Sequence, residues 1–137
     1  MIRARFTSLT GGWSGAYRYP GDALPETVFN ATIDEVGGAF TGTTVEPNAM
    51  KRGPGRVVTA DIEGTRQGRA VTFIKLMDGS GGMRHAVRYE GQCDDALTRV
   101  EGNWHIPGQW SGTFRMSRDD AGAEEEVRRA ETIDAER

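Results

Sequence analysis

Between residues 12 and 118 the chain alternates apolar and polar side chains with a period of two, and turn-forming residues break that alternation at regular intervals. A period of two belongs to strands with one wet face and one dry face. No segment in this stretch carries a helical period of useful length. The pattern predicts strands near 12–19, 27–36, 39–46, 57–66, 69–77, 85–92, 97–106 and 110–118. Short strands joined by local turns point to a sandwich or a barrel.

Parity sorts the side chains. The apolar parity carries Trp13 and Tyr17 on the first strand, Phe29, Ala31 and Ile33 on the second, and Phe40, Gly42 and Thr44 on the third. Further along it carries Phe73, Tyr89, Trp104, Trp110 and Phe114. The opposite parity is mostly polar, with Ser14, Arg18, Asn30, Thr32, Asp61, Glu63, Arg88, Glu90, Glu101 and Arg115. Strand 69–77 departs from this on both faces. Its outer set (Ala70, Thr72, Ile74, Leu76) is apolar, and Lys75 falls on the inner face. An exposed apolar stripe is a candidate contact surface.

Turn residues set the expected register. Gly37-Gly38 and Gln67-Gly68 fit two-residue hairpins, where positive φ is needed. A loop at Pro107-Gly108-Gln109 sets Glu101 against Arg115, Trp104 against Gly112 and Gly102 against Phe114. Opposite charges and aromatic–glycine pairs both stabilise such a pairing. A loop at Cys93-Asp94-Asp95-Ala96 sets Glu90 against Arg99 and Arg88 against Glu101. Every connection is local, so the strands form an up-and-down meander.

Glycine decides between sandwich and barrel. Of the 19 glycines, six lie on the inward parity of six different strands: Gly15, Gly42, Gly64, Gly91, Gly102 and Gly112. Interior strand glycines permit tight coiling, and closure removes the exposed edges of a long meander. The first and last strands, which closure makes neighbours, carry similar text, Trp13-Ser14-Gly15-Ala16-Tyr17-Arg18 and Trp110-Ser111-Gly112-Thr113-Phe114-Arg115. The expected fold is all-β: an eight-stranded antiparallel up-and-down barrel over residues 1–118. Residues 119–137 hold eight acids against three arginines, a net charge of −5, with Val127 and Ile133 as the only large aliphatics. That composition predicts a disordered or short helical acidic tail.

Several functions are disfavoured. The overall charge of −3 argues against nucleic-acid binding. No apolar run approaches the ~20 residues of a membrane helix, and the start of the chain has no secretory leader, so a cytoplasmic protein is expected. One cysteine supports neither a disulfide framework nor a Cys-based zinc site. His85 and His105 have outward parity on different strands, outside metal-ligand spacing. Cys93 sits beside Asp94 and Asp95, whose charge raises a thiol pKa. No phosphate loop, dinucleotide fingerprint or nucleophile elbow occurs, so no catalytic residue, metal or cofactor is expected.

The layout resembles the calycin group of lipocalins, fatty-acid-binding proteins and avidins. Avidins are nearest in text: Gly11-Gly12-Trp13 matches their Gly-x-Trp opening strand, Gly38-Ala39-Phe40-Thr41-Gly42-Thr43 their third-strand segment, and Trp104 a late-strand tryptophan. The resemblance implies a barrel whose lumen holds a small molecule, often in a homotetramer. It departs at the avidin polar cage, where Gly15 and Tyr19 fall near the strand-one positions and Thr44 replaces a tyrosine. Strong biotin binding is therefore not expected.

The expected partner is a small apolar or aromatic molecule. Its candidate lining is Trp13, Tyr17, Phe29, Phe40, Thr44, Phe73, Lys75, Tyr89, Trp104, Trp110 and Phe114. The segments 48–56, with Lys51, Arg52 and Arg56, and 77–84, with Gly79, Gly81 and Gly82, would form the rims. Two alternatives remain open. A packed barrel could serve as an interaction or homo-oligomerisation module through its Ile74/Leu76 stripe, or a cofactor-free enzyme could keep its site inside the barrel.

Overall fold

A computed structural model describes residues 6–21, 24–47, 56–77 and 86–119. The strands are β1 (Gly11–Arg18), β2 (Thr27–Val36), β3 (Ala39–Pro47), β4 (Val57–Gln67), β5 (Ala70–Met77), β6 (Ala86–Cys93), β7 (Arg99–His105) and β8 (Ser111–Arg118). Each pairs antiparallel with the next, and β1 pairs antiparallel with β8, so the sheet closes into a barrel. Closure follows from the alternation: one continuous dry face wraps inward and no edge strand is left unpaired. The rim segments between Pro47 and Arg56 and between Met77 and Ala86, His85 included, lie outside the described residues, as does the tail beyond Asp119. No helix among the described residues is long and apolar enough to cross a membrane.

The register agrees with sequence expectation at two turns and departs at two. Val36 pairs with Ala39 around Gly37-Gly38, both at positive φ. The β7–β8 pairing sets Glu101 against Arg115, Gly102 against Phe114 and Trp104 against Gly112, as read. The β4–β5 turn instead uses Gly68-Arg69, with Gln67 paired to Ala70. That places the glycine, at φ 61°, first in the turn, where an L side chain such as Gln67 would be strained. The β6–β7 pairing also moves. Arg88 faces His105 and Glu90 faces Asn103, rather than Glu101 and Arg99. The cause is a longer turn. Asp94 accepts hydrogen bonds from the Thr98 N–H, the Thr98 hydroxyl and the Arg99 N–H, and Leu97 takes φ 58°. Both slips are even-numbered, so every side chain keeps its expected face.

The inward glycines bring neighbouring strands and rings into close contact. A Cβ on Gly112 would lie 1.9 Å from the Arg18 carbonyl oxygen and 2.7 Å from Trp104 Nε1. A Cβ on Gly64 would lie 2.1 Å from the Thr72 carbonyl oxygen. These positions let adjacent strands coil tightly and seat neighbouring rings.

The two ends differ. The lower end has the short connections at 37–38, 68–69 and 94–98. The chain segment before β1 covers it: Leu9 is fully buried and its carbonyl accepts the Trp13 indole N–H at 2.8 Å. Arg118, the last inward residue of β8, is buried beneath this cap. Its guanidinium donates to the carbonyls of Leu97, Thr10 and Ser8 at 3.0, 2.6 and 2.6 Å, and it lies over the rings of Phe6 and Trp13. Beside it Arg66 grips Glu35 through two bonds of 2.8 and 2.9 Å. Above this seal comes an aromatic layer, with Phe73 stacked on Tyr89 at 4.6 Å and Phe40 and Phe114 edge-on to it. The upper end has the connections at 19–26, 48–56, 78–85 and 106–110, the first three longer than any at the lower end and the last equal to 94–98.

Candidate functional site

The upper half of the lumen contains a buried charge network. Glu46 and Lys75 are the next-to-last and third-from-last residues of β3 and β5, and both point inward by strand parity. The Lys75 ammonium donates to Glu46 Oε1 at 2.5 Å, and the Tyr17 hydroxyl donates to Glu46 Oε2. All three residues are more than nine-tenths buried. Lys75 Nζ lies 4.9 Å from the Tyr17 ring centroid and 5.9 Å from that of Tyr89. One carboxylate thus holds an ammonium and a phenol between aromatic faces.

Protonation states follow from this packing. Burial pulls the Lys75 pKa down, but Tyr89 and Glu46 beside it favour the charged form, and the net shift is upward. Burial, reinforced by the Glu46 charge, raises the Tyr17 pKa far above a free phenol's. Burial also raises that of Tyr89, with Lys75 opposing. Near neutral pH the site therefore contains an ammonium and two protonated phenols. An ammonium held this way is a hydrogen-bond donor, not a nucleophile.

The surrounding walls are unlike each other. On β2, β3 and β4 the inward residues Ala31, Thr44 and Ala60 are adjacent in register, a band of small side chains. On β6 and β7, across the barrel, Tyr89 and Trp104 are paired. Thr44 is buried, and its hydroxyl oxygen is the one buried side-chain polar atom among the described residues without a hydrogen-bond partner. At the mouth, Tyr19 packs edge-on to Tyr17 and Trp104 at 5.6 Å from each and lies 4.8 Å from Trp110. Tyr19 also lines an external groove of about 690 Å³ between the β1–β2 connection and the start of β8, together with Arg18, Leu24, Glu26 and Thr113.

The candidate lining divides by depth. Tyr17, Thr44, Lys75, Tyr89 and Trp104 gather in the upper lumen, and Trp110 is half-buried at its edge. Phe29 packs beside Tyr17 at the same end, 6.3 Å away, Phe40, Phe73 and Phe114 lie deeper, and Trp13 lies under the lower seal; Tyr17, Tyr89, Trp104 and all four phenylalanines belong to one packed core. Glu46 was missed by sequence reasoning, although it continues the inward parity of Phe40, Gly42 and Thr44 and offers the opposite charge to Lys75. His105 is half-buried at the end of β7. Cys93 is fully buried, and its raised pKa comes first from burial, with Asp94 a lesser cause than expected. Among the described residues no group of three or more His, Cys, Asp or Glu side chains could hold a metal ion. No protein-family model matches the chain, and no curated protein matches it.

Proposed function

We propose that this chain is a small-molecule binding protein of calycin-like build, holding an apolar or aromatic ligand in the upper lumen. The Glu46–Lys75–Tyr17 network is the observation that supports this most strongly. Burying an ion pair seldom adds stability, because desolvation offsets the attraction, and an apolar filling of equal volume does as well. Phe40, Phe73 and Phe114 give the deeper lumen such an aromatic filling, whereas above it Glu46, Lys75 and Tyr17 are costly polar groups beside an unpartnered hydroxyl. Aromatic walls with a few convergent polar groups are the usual makeup of ligand pockets. Entry would pass Tyr19 and Trp110, at the end with the long connections. The test is a titration with a panel of apolar and aromatic compounds, read by intrinsic tryptophan fluorescence. Saturable quenching by at least one compound is expected, and a flat response across the panel contradicts the reading.

A second reading rests on Ile74 and Leu76, each nearly half exposed on the outer face of β5. Asp61 and Glu63 flank them on β4, and Arg88 flanks them on β6. A second copy related by a two-fold axis along β5 would set acid flank over basic flank and bury both stripes. Sedimentation should then show a dimer that I74S/L76S dissociates, and a monomer at all concentrations rules this out.

A further inference from the structure

We infer that the ligand group reaching the upper lumen is an uncharged hydrogen-bonding group, such as an amide, ketone or hydroxyl, and not a carboxylate or other anion. This rests on the lumen-binding reading above and narrows its ligand class. Lys75 is the one described cation buried among these walls, and Glu46 already neutralises it at 2.5 Å in a site almost closed to water. A second anion placed against Lys75 would share that space with the Glu46 carboxylate, and like charges at short range in a poorly solvated site disfavour each other strongly.

Thr44 supplies the positive side of the selection. It precedes Glu46 by two residues on β3, so both side chains project from the same face, one pleat repeat apart. In register Thr44 lies between Ala31 and Ala60, both small side chains, and its buried hydroxyl has no hydrogen-bond partner. A buried hydroxyl without a partner is unfavourable, and a group that bonds it removes the penalty. A hydroxyl both donates and accepts, so a neutral carbonyl or amide satisfies it without adding charge. A planar body would then lie between Ala31, Thr44 and Ala60 on one side and Tyr89 and Trp104 on the other.

The experiment is calorimetric titration of the full chain at pH 7.5 with two matched pairs, 2-naphthamide against 2-naphthoate and decanamide against decanoate. In whichever pair binds, the amide should bind at least tenfold more tightly than the carboxylate. T44V, which keeps the side-chain shape, should weaken the amide about fivefold or more and leave the carboxylate unchanged. E46Q removes the competing anion and should shift the preference toward the carboxylate. Where E46Q fails to fold by circular dichroism, T44V carries the test. A wild-type preference for the carboxylate, or amide binding indifferent to T44V, overturns this inference and leaves the lumen-binding reading standing. Failure of all four compounds to bind up to millimolar concentration overturns both.

Discussion

Among the described residues each end of the barrel buries one cation, and the two are held differently. At the lower end Arg118 donates to three backbone carbonyls and lies over two aromatic rings. At the upper end Lys75 is matched to one side-chain carboxylate. Backbone acceptors are fixed by the path of the chain and hold the Ser8–Thr10 and β6–β7 segments onto the barrel. A side-chain partner can be exchanged together with the cation. The lower end thus acts as a structural plug, and the upper end has a replaceable polar network of the kind expected in a recognition site.

That contrast predicts different responses to the same kind of substitution. Arg118→Met leaves three carbonyls without their donor and should destabilise the chain by about 4–5 kcal/mol in urea unfolding. No side-chain change elsewhere supplies three donors at those places, so no second substitution should rescue it. Lys75→Met leaves Glu46 buried and unpaired, and a loss of about 3–5 kcal/mol is expected. Here the triple variant Lys75→Met/Glu46→Leu/Tyr17→Phe, which also removes the phenol that donates to Glu46, should return to within about 1 kcal/mol of wild type. Rescue at the lower end, or its failure at the upper end, would break the comparison.

Smaller effects sharpen it. Gly112→Ala forces a methyl group against the Arg18 carbonyl and Trp104 at the upper rim, and should cost about 3 kcal/mol. The lower seal should also respond to acid. Arg66 hydrogen-bonds Glu35 and lowers its carboxyl pKa, with burial opposing and the Leu9 N–H assisting. Because the folded pKa lies below the unfolded one, the stabilisation is full above the unfolded value of about 4.3 and fades as pH falls through the folded value. Glu35→Gln should lower stability at pH 7 by about 1–2 kcal/mol and flatten the acid limb of the stability profile.

The fold was legible because alternation and turn residues are local signals that agreed along the whole sheet. Two registers were misread because turn chemistry is finer than the pattern. Leu97 gives no sign in sequence that it adopts positive φ, and the Asp94 side chain extends its turn by bonding Thr98 and Arg99. The polar lumen was half legible. Lys75 stood out among apolar neighbours, but Glu46 and Arg118 fall at the last inward positions of their strands, where a charge reads as the start of a solvated loop. Only closure of the barrel, and the segment folded beneath it, buries them. The glycines were assigned to the correct face and to tight coiling, and the contacts show them seating adjacent strands.

The proposed small-molecule site lies in the upper lumen, opposite the plugged lower end. The three tryptophans divide between the two: Trp104 and Trp110 pack around Tyr19 at the mouth, and Trp13 is sealed beneath Leu9. Fluorine NMR of protein labelled with 5-fluorotryptophan, titrated with 2-naphthamide, reads both ends in one spectrum. The account predicts saturable shifts of the Trp104 and Trp110 resonances with Trp13 unmoved. Movement of Trp13 alone, or no movement of any resonance up to millimolar ligand, would contradict it.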